Sequence, residues 1–176
     1  MSYMAGSFVI MTGASGSGKT AIAELIEADN PEIAVFRFDT IGVPSAEVMA
    51  TFGTDHQPGG AWQRATTLKW MERIAPVLRS SRPVLFEGQM RIAFVQEALA
   101  AQQITHAHVI CVECSDETRI ARLTHDRKQP ELANEGMMGW SRYLHAEALA
   151  AGCEIMDTTA LPLIESTRKV LSYLKE

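Results

Sequence analysis

The segment Gly13-Ala14-Ser15-Gly16-Ser17-Gly18-Lys19-Thr20 constrains the fold more tightly than any other part of this sequence. A short apolar run, residues 8–11, precedes it, and in the stretch that follows, 21–28, Ile22, Leu25 and Ile26 recur at helical spacing. A G-x-x-x-x-G-K-[ST] pattern between strand and helix lets several backbone N–H groups converge on one point, because glycine permits both close approach and positive φ. The amino end of the helix adds its partial positive charge. Such a cradle suits phosphate oxygens, and the expected occupant is ATP with magnesium, with GTP left open as the nucleotide. Lys19 is placed to reach the β- and γ-phosphates, and the Thr20 hydroxyl to hold the metal.

Beyond this loop, strands and helices alternate. Asn30-Pro31 ends the first helix, since a residue before proline avoids the helical region, and a second strand over 33–38 leads to Asp39. Helices are predicted over 45–52 and 62–78, joined by a glycine-rich loop over 53–60. A third strand, 83–86, ends at Glu87-Gly88, and a helix over 92–101 follows. The fourth strand is 108–112. Ser115 is positioned as an N-cap for a helix to 125, with Asp116 and Glu117 in its first turn. A polar stretch over 127–139 separates it from a helix over 140–150, a fifth strand over 154–156, and a last helix over 162–174 capped by Thr159. The expected fold is α/β: three layers, with a five-stranded parallel sheet and helices on both faces. Ligands of such sheets lie outside the carboxyl ends of the strands, where Gly13, Asp39, Glu87 and Cys114 fall.

Composition narrows the function. The chain has 176 residues, 47% hydrophobic and 21% charged, which suits one globular domain over 1–176 rather than a disordered segment. A net charge of -5 argues against a surface that coats nucleic acid. No apolar run approaches the roughly 18 residues of a membrane span. The three cysteines, Cys111, Cys114 and Cys153, have no disulfide-framework spacing, and the start lacks a basic leader, so a reducing cytoplasm is expected. Cys111 and Cys114 share a C-x-x-C spacing, but it spans a strand end that turns the two side chains apart, and both read as core thiols. The histidines are scattered, and the segment 127–139 has no Cys or His set for zinc.

In motif and element order the chain resembles the P-loop nucleoside triphosphatases, and among them the small nucleotide and metabolite kinases. The resemblance implies the three-layer P-loop fold, an acceptor-binding region over about 40–78 and a short lid over about 127–139. In those kinases the strand after the P-loop helix commonly ends in an acid facing the acceptor hydroxyl. Asp39 holds that place, either as acceptor-binding residue and base or as a magnesium holder through water. Glu87 resembles the acid of a Walker B element, with glutamate for the usual aspartate, and is a metal candidate. Glu87-Gly88-Gln89-Met90-Arg91 also resembles the Asp-Gly-x-Pro-Arg segment of adenylate kinases, departing at two positions, which makes Arg91 a candidate contact for an acceptor anion.

The same resemblance puts Arg119, Arg122 and Arg127 near a lid hinge. Arg122 and Arg127 are the two expected to meet the transferring phosphoryl, Arg122 also as a nucleotide contact. Arg142 matches an arginine by which shikimate kinases and similar enzymes bind an acceptor's acid group. Thr158, in Asp157-Thr158-Thr159-Ala160, falls in the loop that edges adenine. His56, a single histidine in the glycine-rich loop, is discounted as a substrate contact. The resulting expectation is an ATP-dependent phosphotransferase that carries the γ-phosphoryl of ATP-Mg to a small-molecule acceptor. The alternatives are a switch-type ATPase and a nucleoside monophosphate kinase, and the oligomeric state stays open.

Overall fold

The computed structural model describes residues 6–42, 44–52 and 60–176. Five strands, β1 (Phe8–Thr12), β2 (Ala34–Arg37), β3 (Val84–Gly88), β4 (His108–Glu113) and β5 (Glu154–Asp157), form one parallel sheet in the order β2-β3-β1-β4-β5. Among the described residues the α-helices are α1 (Lys19–Asp29), α2 (Ala46–Ala50), α3 (Ala61–Arg79), α4 (Ile92–Ala101), α5 (Asp116–Ala121), α6 (Glu135–Ala150) and α7 (Leu163–Leu174). Because β1 is buried on both sides, it reads as a continuous apolar run instead of an alternating one.

Successive side chains of a strand point to opposite faces, and β1 divides its residues accordingly. Phe8 and Ile10 join the core beneath α3 and α4, with Trp70, Met71, Ile74 and Val95. Val9 and Met11 face the other way, toward Ile22 and Ile26 of α1 and Val170 and Leu174 of α7. A smaller group, Ile92, Cys111, Leu144 and Ala148, seats α6. Each fully buried aliphatic side chain of this kind contributes about 1.5–3 kcal/mol, so the two main cores hold the layers together. The three-layer α/β fold expected from the alternation is the fold observed. Among the described residues, no helix is long and apolar enough to cross a membrane.

The structure departs from the sequence expectations in three places. Helix α6 starts at Glu135 rather than at 140, because Asn134 Oδ1 accepts the Met137 N–H and caps it despite Gly136 and Gly139. The segment after β4 is α-helical only to Ala121 and continues as a π-helical turn, Arg122–Asp126, closed by Arg127 N–H on the Arg122 carbonyl at 2.9 Å. Thr159 does not cap α7, whose N-cap position is Pro162. Its Oγ1 instead accepts the Ser115 N–H at 2.7 Å, tying the end of β5 to the end of β4.

Register brings the expected acids together. Arg37 pairs with Glu87, and Glu87 with Met11, so the turn after β2 and the end of β3 lie beside the start of the glycine loop. A Cβ on Gly88 would come within 2.5 Å of Phe38 Cβ, so only glycine lets the 3-10 turn Phe38–Ile41, which carries Asp39, close onto β3.

Candidate functional site

The loop between β1 and α1 is held from outside by its carbonyl oxygens. Arg119 Nη1 donates to Ser15 O at 2.6 Å, Arg122 Nη1 to Gly16 O and Ser17 O at 3.2 Å each, Cys114 Sγ to Gly16 O at 3.4 Å, and Thr158 Oγ1 to Ser17 O at 2.6 Å. All four donors come from the ends of β4 and β5 and from the helix after β4. With these carbonyls turned outward, the N–H groups of Gly16, Gly18, Lys19 and Thr20 find no acceptor among the described residues. Gly18, at φ 102°, offers no side-chain cap to α1, and no acid stands in its first turn. Gly13 passes so close to β4 that a Cβ would lie 2.2 Å from Val112 O.

A cleft of about 450 Å³ opens in front of the loop, lined by Lys19, Thr20, Arg122, Arg127, Thr158 and the apolar Leu161. Lys19 is buried, and its Nζ lies 3.4 Å from Ala14 O. Burial pushes its pKa below the usual ammonium value, with Arg127 and Arg119 acting in the same direction, while Glu87 and Asp39 act against it. Glu87 is also buried, and desolvation raises its carboxyl above the usual range. The negative charge of Asp39 adds to that rise, and Lys19, Arg37 and Arg127 oppose it. Asp39 itself is exposed at the surface of its turn. One lysine, two carboxylates and Arg127 therefore feel one another's charge across the loop, from opposite sides of β1.

The raised Glu87 pKa has a consequence for stability. A carboxyl whose folded-state pKa exceeds its unfolded value contributes stability below the unfolded pKa and loses it as pH rises through the folded pKa. In the nucleotide-free protein, Glu87→Gln is expected to gain thermal stability relative to wild type as pH rises from about 4 toward neutrality, starting near the ordinary carboxylate range. Parallel thermal melts across that range measure it. A difference that stays constant with pH would count against a buried, destabilised carboxylate at this position.

Lys19, Thr20, Asp39, Glu87, Arg122, Arg127 and Thr158 gather at this edge of the sheet, as the sequence suggests. Arg122 differs from expectation in its engagements: beyond Gly16 and Ser17 its guanidinium donates to Thr158 Oγ1 and Thr158 O, both at 2.9 Å. Arg91 lies to the side, its guanidinium 4.7 Å from the Phe94 ring centre and 5.2 Å from that of Tyr143, with Nε 3.8 Å from Glu147. Arg142 is not brought to the loop. It is 63% exposed on α6 and forms surface ion pairs with Asp116 and Glu135. His56 lies outside the described residues. Cys111 and Cys114 are core thiols as expected, and burial pushes Cys111 to about 12.

Two participants escape a reading of spacing. Arg119 is completely buried beneath the loop, and Gln89, just after β3, bridges Ser15 Oγ at 3.1 Å to Trp140 Nε1 at 3.2 Å. Trp140 can only donate, so the amide oxygen of Gln89 faces it and the amide nitrogen faces Ser15. Gln63 on α3 donates to Gln89 O at 2.9 Å and accepts the Arg91 N–H at 2.9 Å, joining the long helix to the same segment. The one signal for Gln89 in the sequence is its place two residues after a strand-ending acid.

The donor set fits a nucleoside triphosphate: four free N–H groups, an uncapped helix start and a buried ammonium all favour clustered negative charge. It also fits magnesium. Among the described residues, no group of three or more His, Cys, Asp and Glu side chains could hold a metal by itself. Magnesium does not need one, since it characteristically takes one or two protein ligands and completes its shell with phosphate oxygens and water.

Neither a protein-family model nor a curated protein sequence matches the chain. Solved structures do. A gluconokinase from Sinorhizobium meliloti aligns over 98% of this chain and 93% of its own, with TM-score 0.64 and 19% identity. The APS kinase of Mycobacterium tuberculosis, in complex with AMPPNP and APS, aligns over 98% and 99%, with TM-score 0.59 and 17% identity. Shikimate kinase from Acinetobacter baumannii, in complex with shikimate, aligns over 97% and 93%, with TM-score 0.57 and 17% identity. Over nearly its whole length, this chain has the fold of the P-loop kinases.

Proposed function

We propose that this protein is an ATP-dependent kinase of a small metabolite. The observation that carries the reading is the loop whose carbonyls are tied outward while its N–H groups stay free, beside a buried Lys19 that faces two carboxylates. The whole-length likeness to kinases of gluconate, APS and shikimate supports it. A phosphoryl group in flight spreads negative charge over its oxygens, so what a protein must supply is position and positive charge. Residues 13–20 hold the phosphates, Lys19 bridges the β- and γ-phosphates, and Arg127 reaches in from the far wall of the cleft. Arg122 and Thr158 shape the nucleotide side.

Thr20 and Glu87 are the residues that would hold magnesium, which when bound offsets the charge of the phosphate oxygens. Asp39 takes the proton of the acceptor hydroxyl or holds the metal through water. As the acceptor oxygen bonds to the γ-phosphorus, the bond to the ADP oxygen breaks, and in the first case the proton ends on Asp39. The acceptor lies between Asp39 and the region 40–78, with Arg91 available to an anionic group and Arg142 to a remoter one. Residues 127–139 form a short lid over the phosphates in a single-domain enzyme.

A thermal-shift screen of hydroxyl-, carboxyl- and phosphate-bearing metabolites, with a non-hydrolysable ATP analogue present, is expected to find an acceptor. Incubation of that acceptor with γ-labelled ATP and magnesium is expected to label it. ATP binding followed only by slow hydrolysis, with no labelled acceptor from any pool, would overturn the reading and favour a switch-type ATPase. Labelling confined to nucleoside monophosphates would move it to a nucleoside monophosphate kinase.

A further inference from the structure

Arg119 is the largest completely buried side chain among the described residues. A guanidinium so placed ordinarily meets a carboxylate, because a buried charge without compensation is costly. Here its partners are neutral: Ser15 O at 2.6 Å, Ser141 Oγ at 2.7 Å and Cys114 O at 3.5 Å. Its Nε, also buried, has no partner. The nearest part of the phosphate-binding loop closes over it. A Cβ on Gly16 would lie 3.1 Å from Arg119 Cγ.

A peptide unit is planar, and its carbonyl and N–H point in opposite directions. Holding Ser15 O outward therefore holds the Gly16 N–H inward. The next two carbonyls are each held twice, Gly16 O by Arg122 and Cys114 and Ser17 O by Arg122 and Thr158. Ser15 O has Arg119 as its one donor among the described residues. This plane also leads into Gly16 at φ 82°, a conformation glycine enters without strain, so among the described residues Arg119 alone opposes its turning.

We infer that Arg119 is a positioning residue that fixes the Ser15–Gly16 peptide plane with its N–H toward the phosphates, and that Ser141 of α6 sets Arg119 in turn. This rests on the reading of residues 13–20 as a nucleotide site. Ser141 makes the inference testable, because it lies on the other side of Arg119, in a shallow groove with Glu113 and His145, and does not line the cleft of Lys19 and Thr20. A residue with no route to the nucleotide except through Arg119 should then affect how tightly the nucleotide is held.

The experiment measures the equilibrium Kd for ATP-Mg, the apo Tm, and kcat and KM on wild type, Ser141→Ala, Ser141→Thr and Arg119→Lys. Ser141→Ala is expected to weaken ATP binding about 3- to 10-fold, the worth of one hydrogen bond, with the apo Tm nearly unchanged. Ser141→Thr, which keeps the hydroxyl, restores it. Arg119→Lys, which keeps the charge and loses the fork, is expected to weaken binding by about 10- to 100-fold. KM for ATP should rise in step while kcat holds, because the loop contact is present in ground and transition states alike. If wild type binds ATP and both Ser141→Ala and Arg119→Lys bind it equally well, whatever happens to Tm, the inference is wrong and Arg119 only supports the fold. If wild type itself fails to bind ATP, the kinase reading falls first.

Discussion

Lys19→Met is expected to reduce kcat/KM for ATP-dependent transfer by about 10²- to 10³-fold or more, the effect of removing one preorganised charge from a developing phosphoryl transition state. The same substitution is expected to leave the nucleotide-free protein as stable as wild type, or more so. Burial already holds the Lys19 pKa below its usual value, so the folded state bears a cost for keeping that ammonium charged at neutral pH, and an apolar side chain of similar length removes the cost. Steady-state kinetics and apo melting curves measured together give the result a clear signature. An inactive variant that also melts well below wild type would instead mark Lys19 as a structural residue whose loss disrupts the loop.

Asp39→Asn is expected to lower kcat by about 10²- to 10⁴-fold, the range of a lost general base, with the Kd for ATP close to wild type. Asp39 is exposed in the 3-10 turn after β2, so the fold should tolerate the change, and asparagine keeps the shape while removing the proton acceptor. Its charge reaches both Lys19 and Glu87, so it stands beside the glycine loop. A magnesium titration separates its two possible duties. If the loss is recovered at high magnesium, Asp39 serves the metal shell, and if it persists at saturation, the carboxylate acts on the acceptor. An unchanged kcat under all magnesium conditions would remove Asp39 from the chemistry.

What the sequence made legible follows from what local patterns can encode. The strand, glycine loop and helix from Phe8 to Asp29 show because each carries its own signal: a doubly buried apolar run, glycines where a Cβ would collide, and helical spacing of Ile22 and Ile26. Asp39 and Glu87 show because they end strands, and parallel strands bring their carboxyl ends to one edge. The burial of Arg119 beneath the loop did not show. Its neighbours along the helix, Thr118 half-buried and Ile120 exposed, give no sign that an arginine between them is wholly enclosed. The groups that enclose it, Ser15 and Ser141, are far away in the chain and meet it only when α6 has been laid against β4. Arg142, singled out by its likeness to an acceptor-binding arginine, pairs on the surface of α6 with Asp116 and Glu135, partners that no local pattern reveals. The early start of α6 was hidden by Gly136 and Gly139, whose low helix propensity outweighs, in the sequence alone, a cap that Asn134 makes good.

The π-helical turn at Arg122–Asp126 alters what a spacing means in this chain. An extra residue within one turn rotates everything beyond it by about 100° relative to an uninterrupted α-helix. Arg122 and Arg127 are five apart in the chain, yet one is drawn inward onto Gly16, Ser17 and Thr158 while the other stays at the open rim of the cleft. In a relative with a regular helix here, the residue four positions after the first arginine would stand where Arg127 stands. Gap-free alignment would then pair Arg127 with a residue of another orientation and present a shared arginine as a lost one. A comparison at this point should therefore count helical turns rather than residues.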